Sequence, residues 1–86
     1  MLFDWRKIQG LPVYTVSGNR LGILSSVVFD VQSNVVFQYE VRTRFIGGRT
    51  FLINPNQVVE WQKDRVIVED GVIGSSSIIN FVNEIN

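Results

Sequence analysis

The run "VVFQYEVRTR", residues 35–44, decides how this chain is built. Val35, Phe37, Tyr39, Val41 and Thr43 alternate with Val36, Gln38, Glu40, Arg42 and Arg44. Successive side chains of a strand point to opposite faces, so this alternation predicts a strand with one buried and one wet face. Similar runs lie on either side, cut apart by turn residues. "LPVYTV" (11–16) ends at Ser17-Gly18-Asn19, residue types that tolerate positive φ. "LGILSSVVFDV" (21–31) is long for a strand and holds Gly22 and a serine pair, which predicts a bend or bulge. Gln32-Ser33-Asn34 turns the chain into the quoted run, and Gly47-Gly48 turns it out again into "TFLIN" (50–54). Asn54-Pro55-Asn56 breaks that run, and "QVVEW" (57–61) and "RVIVE" (65–69) follow. Six short strands so spaced predict an all-β fold, a small antiparallel β-barrel whose closure removes exposed edges.

After Glu69 the pattern changes. Gly71 and Gly74 flank a linker, Ser75, Ser76 and Ser77 offer helix caps, and "IINFVNEIN" follows. At helical spacing Ile78, Phe81, Val82 and Ile85 share one stripe, opposite Asn80, Asn83 and Glu84. That period predicts a short C-terminal amphipathic helix. β-Branched residues and asparagines are poor helix formers, so such a helix needs its stripe docked on something. The expected organisation is a β domain over 1–70, then a linker and helix over 71–86. The helix would pack on the barrel or on a second copy.

The 86 residues hold one small domain, and 45% apolar with 12% aromatic content suits a packed globule. Eight basic residues balance eight acidic ones, so no global field draws in nucleic acid or an anionic membrane. The absence of cysteine excludes disulfides and thiolate chemistry and fits a reducing, cytoplasmic setting. No apolar run approaches the ~20 residues of a membrane-spanning helix, so no membrane insertion is expected. The start "MLFDWRKIQG" has no long apolar segment and does not read as a signal peptide.

Catalytic material is scarce. Without histidine or cysteine the usual general base, nucleophile and zinc ligands are missing. Glu69 and Asp70 are adjacent and, on a strand, point apart. "GGRT" lacks the glycine spacing and Lys-Ser/Thr pair of a phosphate loop. No enzyme and no cofactor is expected. The local asymmetry is the loop after the quoted run, where Arg42, Arg44 and Arg49 surround Phe45 and Ile46 with no acid among them. Two readings stand side by side. The arginines form a solvated hairpin face with Glu40 beside Arg42, or they form a partner or RNA patch. Trp5, with Leu2, Phe3 and Ile8, is expected to fold over a barrel mouth, and Trp61 to sit in the core or on its rim. A ligand-holding barrel is not expected, since one this small is filled by its own side chains.

From Gly10 to Val68 the chain resembles the PRC-barrel domain family. The resemblance rests on "LPVYTVSGNRLGILSSVVFDV", "VVFQYEVR", "FIGGRTFLI", Pro55 leading to "QVV", and "DRVIV". The proline of "INPNQ" comes one residue later than the family pattern expects. The resemblance implies a non-enzymatic adaptor barrel, and for a stand-alone domain self-association and docking of other proteins. It also implies that the Gly-Gly-Arg hairpin is a structural element. A homodimer held by Ile78, Phe81, Val82 and Ile85 is the expectation, with an RNA- or ribosome-associated factor using Arg42, Arg44 and Arg49 as the alternative.

Overall fold

The computed structural model describes residues 2–43 and 48–72, together with the backbone of 78–80. A short helix, α1 (Trp5–Ile8), leads into β1 (Pro12–Thr15), β2 (Arg20–Asp30), β3 (Val35–Arg42) and β4 (Arg49–Ile53). A 3-10 turn at Pro55–Gln57 precedes β5 (Val58–Trp61) and β6 (Val66–Val68), and β7 (Ile78–Asn80) comes last. The strands form one sheet in the order β5-β6-β1-β2-β3-β4-β7. The expected strand boundaries agree to within about two residues, the usual scatter of such ends.

Three expectations are corrected. The sheet is mixed, because β6 runs parallel to β1, with Val13 opposite Val66 and Thr15 opposite Val68. The β5–β6 hairpin folds back beside β1, and β6 is the arm that meets it. Nor is the sheet closed into a β-barrel: β5 and β7 are its two edges and do not pair. Side chains do what closure would have done. Trp61 of the β5 edge meets Tyr39 of β3 edge to face, ring centroids 5.4 Å apart, and both pack against the core.

The third correction concerns the tail. Ile78–Asn80 is a strand, not the start of a C-terminal helix, and pairs antiparallel with Arg49–Phe51 of β4. Its β-branched isoleucines suit a pleated surface, and β4 offers a row of open backbone groups. Phe81, Val82 and Ile85 lie outside the described residues. The one α-helix among the described residues is α1, at the other end of the chain.

The core is Val13, Leu21, Leu24, Val41, Ile53, Val66, Val68 and Val72, with Ile8, Leu11, Tyr39, Phe51, Val58 and Trp61 packed around it. Two bulges shape it. Val13 faces Gly22 and Tyr14 faces Arg20, so Leu21 is an extra residue and still reaches the interior. Leu24 faces Val41 and Ser26 faces Glu40, so Ser25 is the next extra residue, and its hydroxyl donates to the Glu40 carbonyl at 3.1 Å. Both bulges fall where Gly22 and the serine pair predicted irregularity. Gly22 is required there, since a Cβ would lie 2.2 Å from the Arg42 carbonyl oxygen.

Turns are locked by side-chain hydrogen bonds. In the β1–β2 turn Gly18 takes φ +94°. The Ser17 N–H donates to Asp70 at 3.0 Å, and the Ser17 hydroxyl donates to the other carboxylate oxygen of Asp70. That pair ties the turn to the chain leaving β6. Before β5, Asn54 and Gln57 form a capping box around Pro55, each side chain satisfying a backbone donor the short helix leaves open.

Candidate functional site: an apolar ribbon and groove

β2 and β3 outrun their neighbours. β1 pairs with β2 only as far as Ile23, and backbone bonds from Gly10 and Leu11 extend that cover only to Leu24. β4 pairs with β3 from Tyr39 to Arg42. The remainder, Val28–Asp30 against Val35–Gln38, projects as a two-stranded ribbon. Its tip is built by Asp30, whose carboxylate accepts from the Gln32 N–H at 3.0 Å and the Ser33 hydroxyl at 2.9 Å. Those bonds, the Ser33 hydroxyl foremost, hold the Asp30 carboxyl below its ordinary range. Asn34 closes the tip in the left-handed region at φ 66°, which Asn tolerates better than most residues.

The ribbon is where the alternation of the 35–44 run breaks down. Val28 faces Gln38 but Phe29 faces Val36, so Phe37 is an extra residue and the strand's faces exchange beyond it. Val41 is buried as expected and Tyr39 is half-buried, whereas Val35 and Phe37 are 55% and 62% exposed. Across the ribbon Phe29 is 49% and Val31 79% exposed. Val36, expected on the wet face, instead lines a groove together with Tyr39.

That groove has a volume of about 920 Å³ and runs between the N-terminal segment and the curled sheet. Leu2, Phe3, Trp5 and Ile8 form one wall, Val27, Val36, Tyr39 and Trp61 the other. Ile8 reaches the core, while Leu2 stands almost wholly in solvent and Trp5 is part-exposed. The N-terminal segment thus half covers the sheet rather than sealing a mouth. Partial burial pushes the Tyr39 hydroxyl pKa upward, so it remains a neutral donor at ordinary pH.

Of the three arginines of the loop, Arg42 and Arg49 are described. Arg42 stands opposite Thr50, and Arg49 bonds back to Thr43, its N–H donating to the Thr43 hydroxyl at 2.9 Å. Neighbouring positions on β4 face opposite ways, so the register sends Arg42 and Arg49 to different faces of the sheet. Arg42 is half-buried and Arg49 exposed. Arg44, Phe45 and Ile46 lie outside the described residues, and of the predicted stripe only the backbone of Ile78 is described. Sequence reasoning missed the ribbon because each strand looked ordinary alone; the signal was the length of 21–31 beside the short runs around it.

Among the described residues no cluster of acidic, histidine or cysteine side chains is placed to hold a metal ion. No helix among them is long and apolar enough to cross a membrane. What the site offers is desolvation and backbone hydrogen bonding: exposed apolar side chains, an open groove and strand edges that no described segment pairs. Residues 1–73 match the family model described as the PRC-barrel domain. Comparison with curated proteins finds no match.

Proposed function

We propose that this chain, which belongs to the PRC-barrel family, is a non-enzymatic adaptor that works by self-association and by docking another protein. Domains of this family are generally protein–protein interaction modules without catalytic machinery, and the surface of this one is suited to that work. The observation that carries the reading is the ribbon with Phe29, Val31, Val35 and Phe37 all substantially exposed. Exposed large apolar side chains clustered on one short ribbon of a small domain suit an interaction site.

Affinity capture with the tagged protein tests it. A partner held through the ribbon stays bound at high salt and after nuclease treatment, and is lost with Phe37→Asp while Arg49→Glu retains it. Capture that disappears with salt, nuclease and Arg49→Glu would replace the adaptor by a ribosome- or RNA-associated factor using the arginine loop.

A further inference from the structure

An exposed strand edge is ordinarily protected by lysine, proline, inward charge or a covering loop, because its open N–H and C=O groups template pairing with another chain. The outer edge of β2 from Ser26 to Asp30 has no lysine, proline or inward charge, and although the N-terminal segment lines a groove with Ser26 and Val27, no described segment pairs its backbone with this edge. It reads Ser-Val-Val-Phe-Asp, without lysine or proline and with its one charge at the end. β1 does not reach it, and beyond the β3 ladder and the tip bond from the Asn34 N–H to the Asp30 carbonyl no backbone bond among the described residues falls on it.

Its sequence also says what fits there. Antiparallel pairing of a strand with itself places residues with a constant index sum opposite each other, and the sum must be even for paired side chains to share a face. Centred on Val28, the pairing uses the whole open edge. Ser26 then lies opposite the partner copy's Asp30 and Val27 opposite its Phe29, while Val28 lies opposite itself. The carboxylate meets a hydroxyl rather than a second carboxylate, and the apolar middle meets apolar middle. Val27 lines the groove, and Phe29 shares that face by register with Val36. The pairing therefore joins the two grooves into one apolar surface.

We propose that Ser26–Asp30 of β2 pairs antiparallel with the same edge of a second copy, across a two-fold axis at Val28, giving a continuous sheet through both molecules. The inference rests on the adaptor reading and specifies the self-association surface within it. Such an interface is isologous and closes at two copies, which hides the edge in both.

The test uses the absence of cysteine from the chain. Opposed Cα atoms of an antiparallel pair lie about 4.5–5.5 Å apart, inside the range of about 4.4–6.8 Å that a disulfide spans. Full-length Val28→Cys is expected to form a disulfide-linked dimer almost completely under mild oxidation. Val59→Cys, exposed on the β5 edge, is expected to remain largely monomeric. Val28→Lys and Val28→Asp are each expected to sediment as folded monomers and, when mixed, to restore dimers. A wild-type chain that sediments as a monomer overturns the pairing, as does Val28→Cys that stays uncrosslinked or crosslinks no faster than Val59→Cys. A monomer that still captures a partner through Phe37 overturns this pairing alone; a monomer that captures none overturns the adaptor reading with it.

Discussion

Single residues carry the strain and charge that fix the geometry. At Gly22 the β2 backbone passes so close to Arg42 that a methyl group would lie 2.2 Å from its carbonyl oxygen. Neither strand can retreat without breaking the β2–β3 ladder. Gly22→Ala is therefore expected to destabilise the fold by about 2–3 kcal/mol, read as a lower denaturation midpoint at unchanged slope. Gly71→Ala, whose added Cβ would meet the Glu69 carboxylate only at 3.7 Å, should change little. A second residue-scale prediction concerns acid. Asp70 has its carboxyl lowered from the ordinary 3.8, chiefly by the Ser17 hydroxyl and then by the Ser17 N–H. A folded-state pKa below the unfolded one means the folded chain binds fewer protons. The stabilisation is then complete above the unfolded value and lost as pH falls through the folded one. Asp30 is shifted the same way. Melting temperature should fall on acidification below about the ordinary aspartate value, and the Asp30→Asn/Asp70→Asn double variant should show a flatter acid limb.

At the scale of elements the ribbon should be the loosest part of the sheet. A two-stranded hairpin without a third strand is only marginally stable in water, and among the described residues Val28–Asp30 and Val35–Gln38 have no third strand. Amide exchange of a dilute sample should be faster there than at Leu24 or Val41, and should slow as concentration rises if a second copy covers β2. Equal protection throughout the dilute sheet would contradict the ribbon description. This is also the scale at which sequence was most and least informative. Strand limits, the turns at Ser17-Gly18-Asn19 and Gln32-Ser33-Asn34, and the bulges near Gly22 and Ser25 were legible, because turn chemistry and alternation are local. The exchange of faces at Phe37 was not, because a bulge is a property of two strands in register. The period of 78–85 was read as helical, while the open edge of β4 and the β-branched Ile78 and Ile79 favoured a strand. The four-residue α1 is too short to leave a period at all.

For the whole molecule, sheet order decides how the fold is held together. A closed barrel distributes its last contact over a ladder of backbone hydrogen bonds that no single side chain controls. Here β5 is an edge, and its approach to β3 depends on the Trp61–Tyr39 ring contact with Ile8 and Val58 around the same core. Parallel pairing of β6 with β1 anchors one side of that arrangement; the ring contact anchors the other. Because Trp61 is half-buried, Trp61→Ala should cost less than the 3–5 kcal/mol typical of a fully buried aromatic, about 2–3 kcal/mol. The loss should appear as one cooperative transition at lower temperature, since the small core leaves no part of the sheet to fold alone. It should also loosen β5 and β6 together with the groove wall that Trp61 forms, so partner capture weakens even below the melting temperature. If instead Trp61→Ala melts like the wild type, pairing of β5 with β6 alone holds that edge, and the part given to the ring contact would fail.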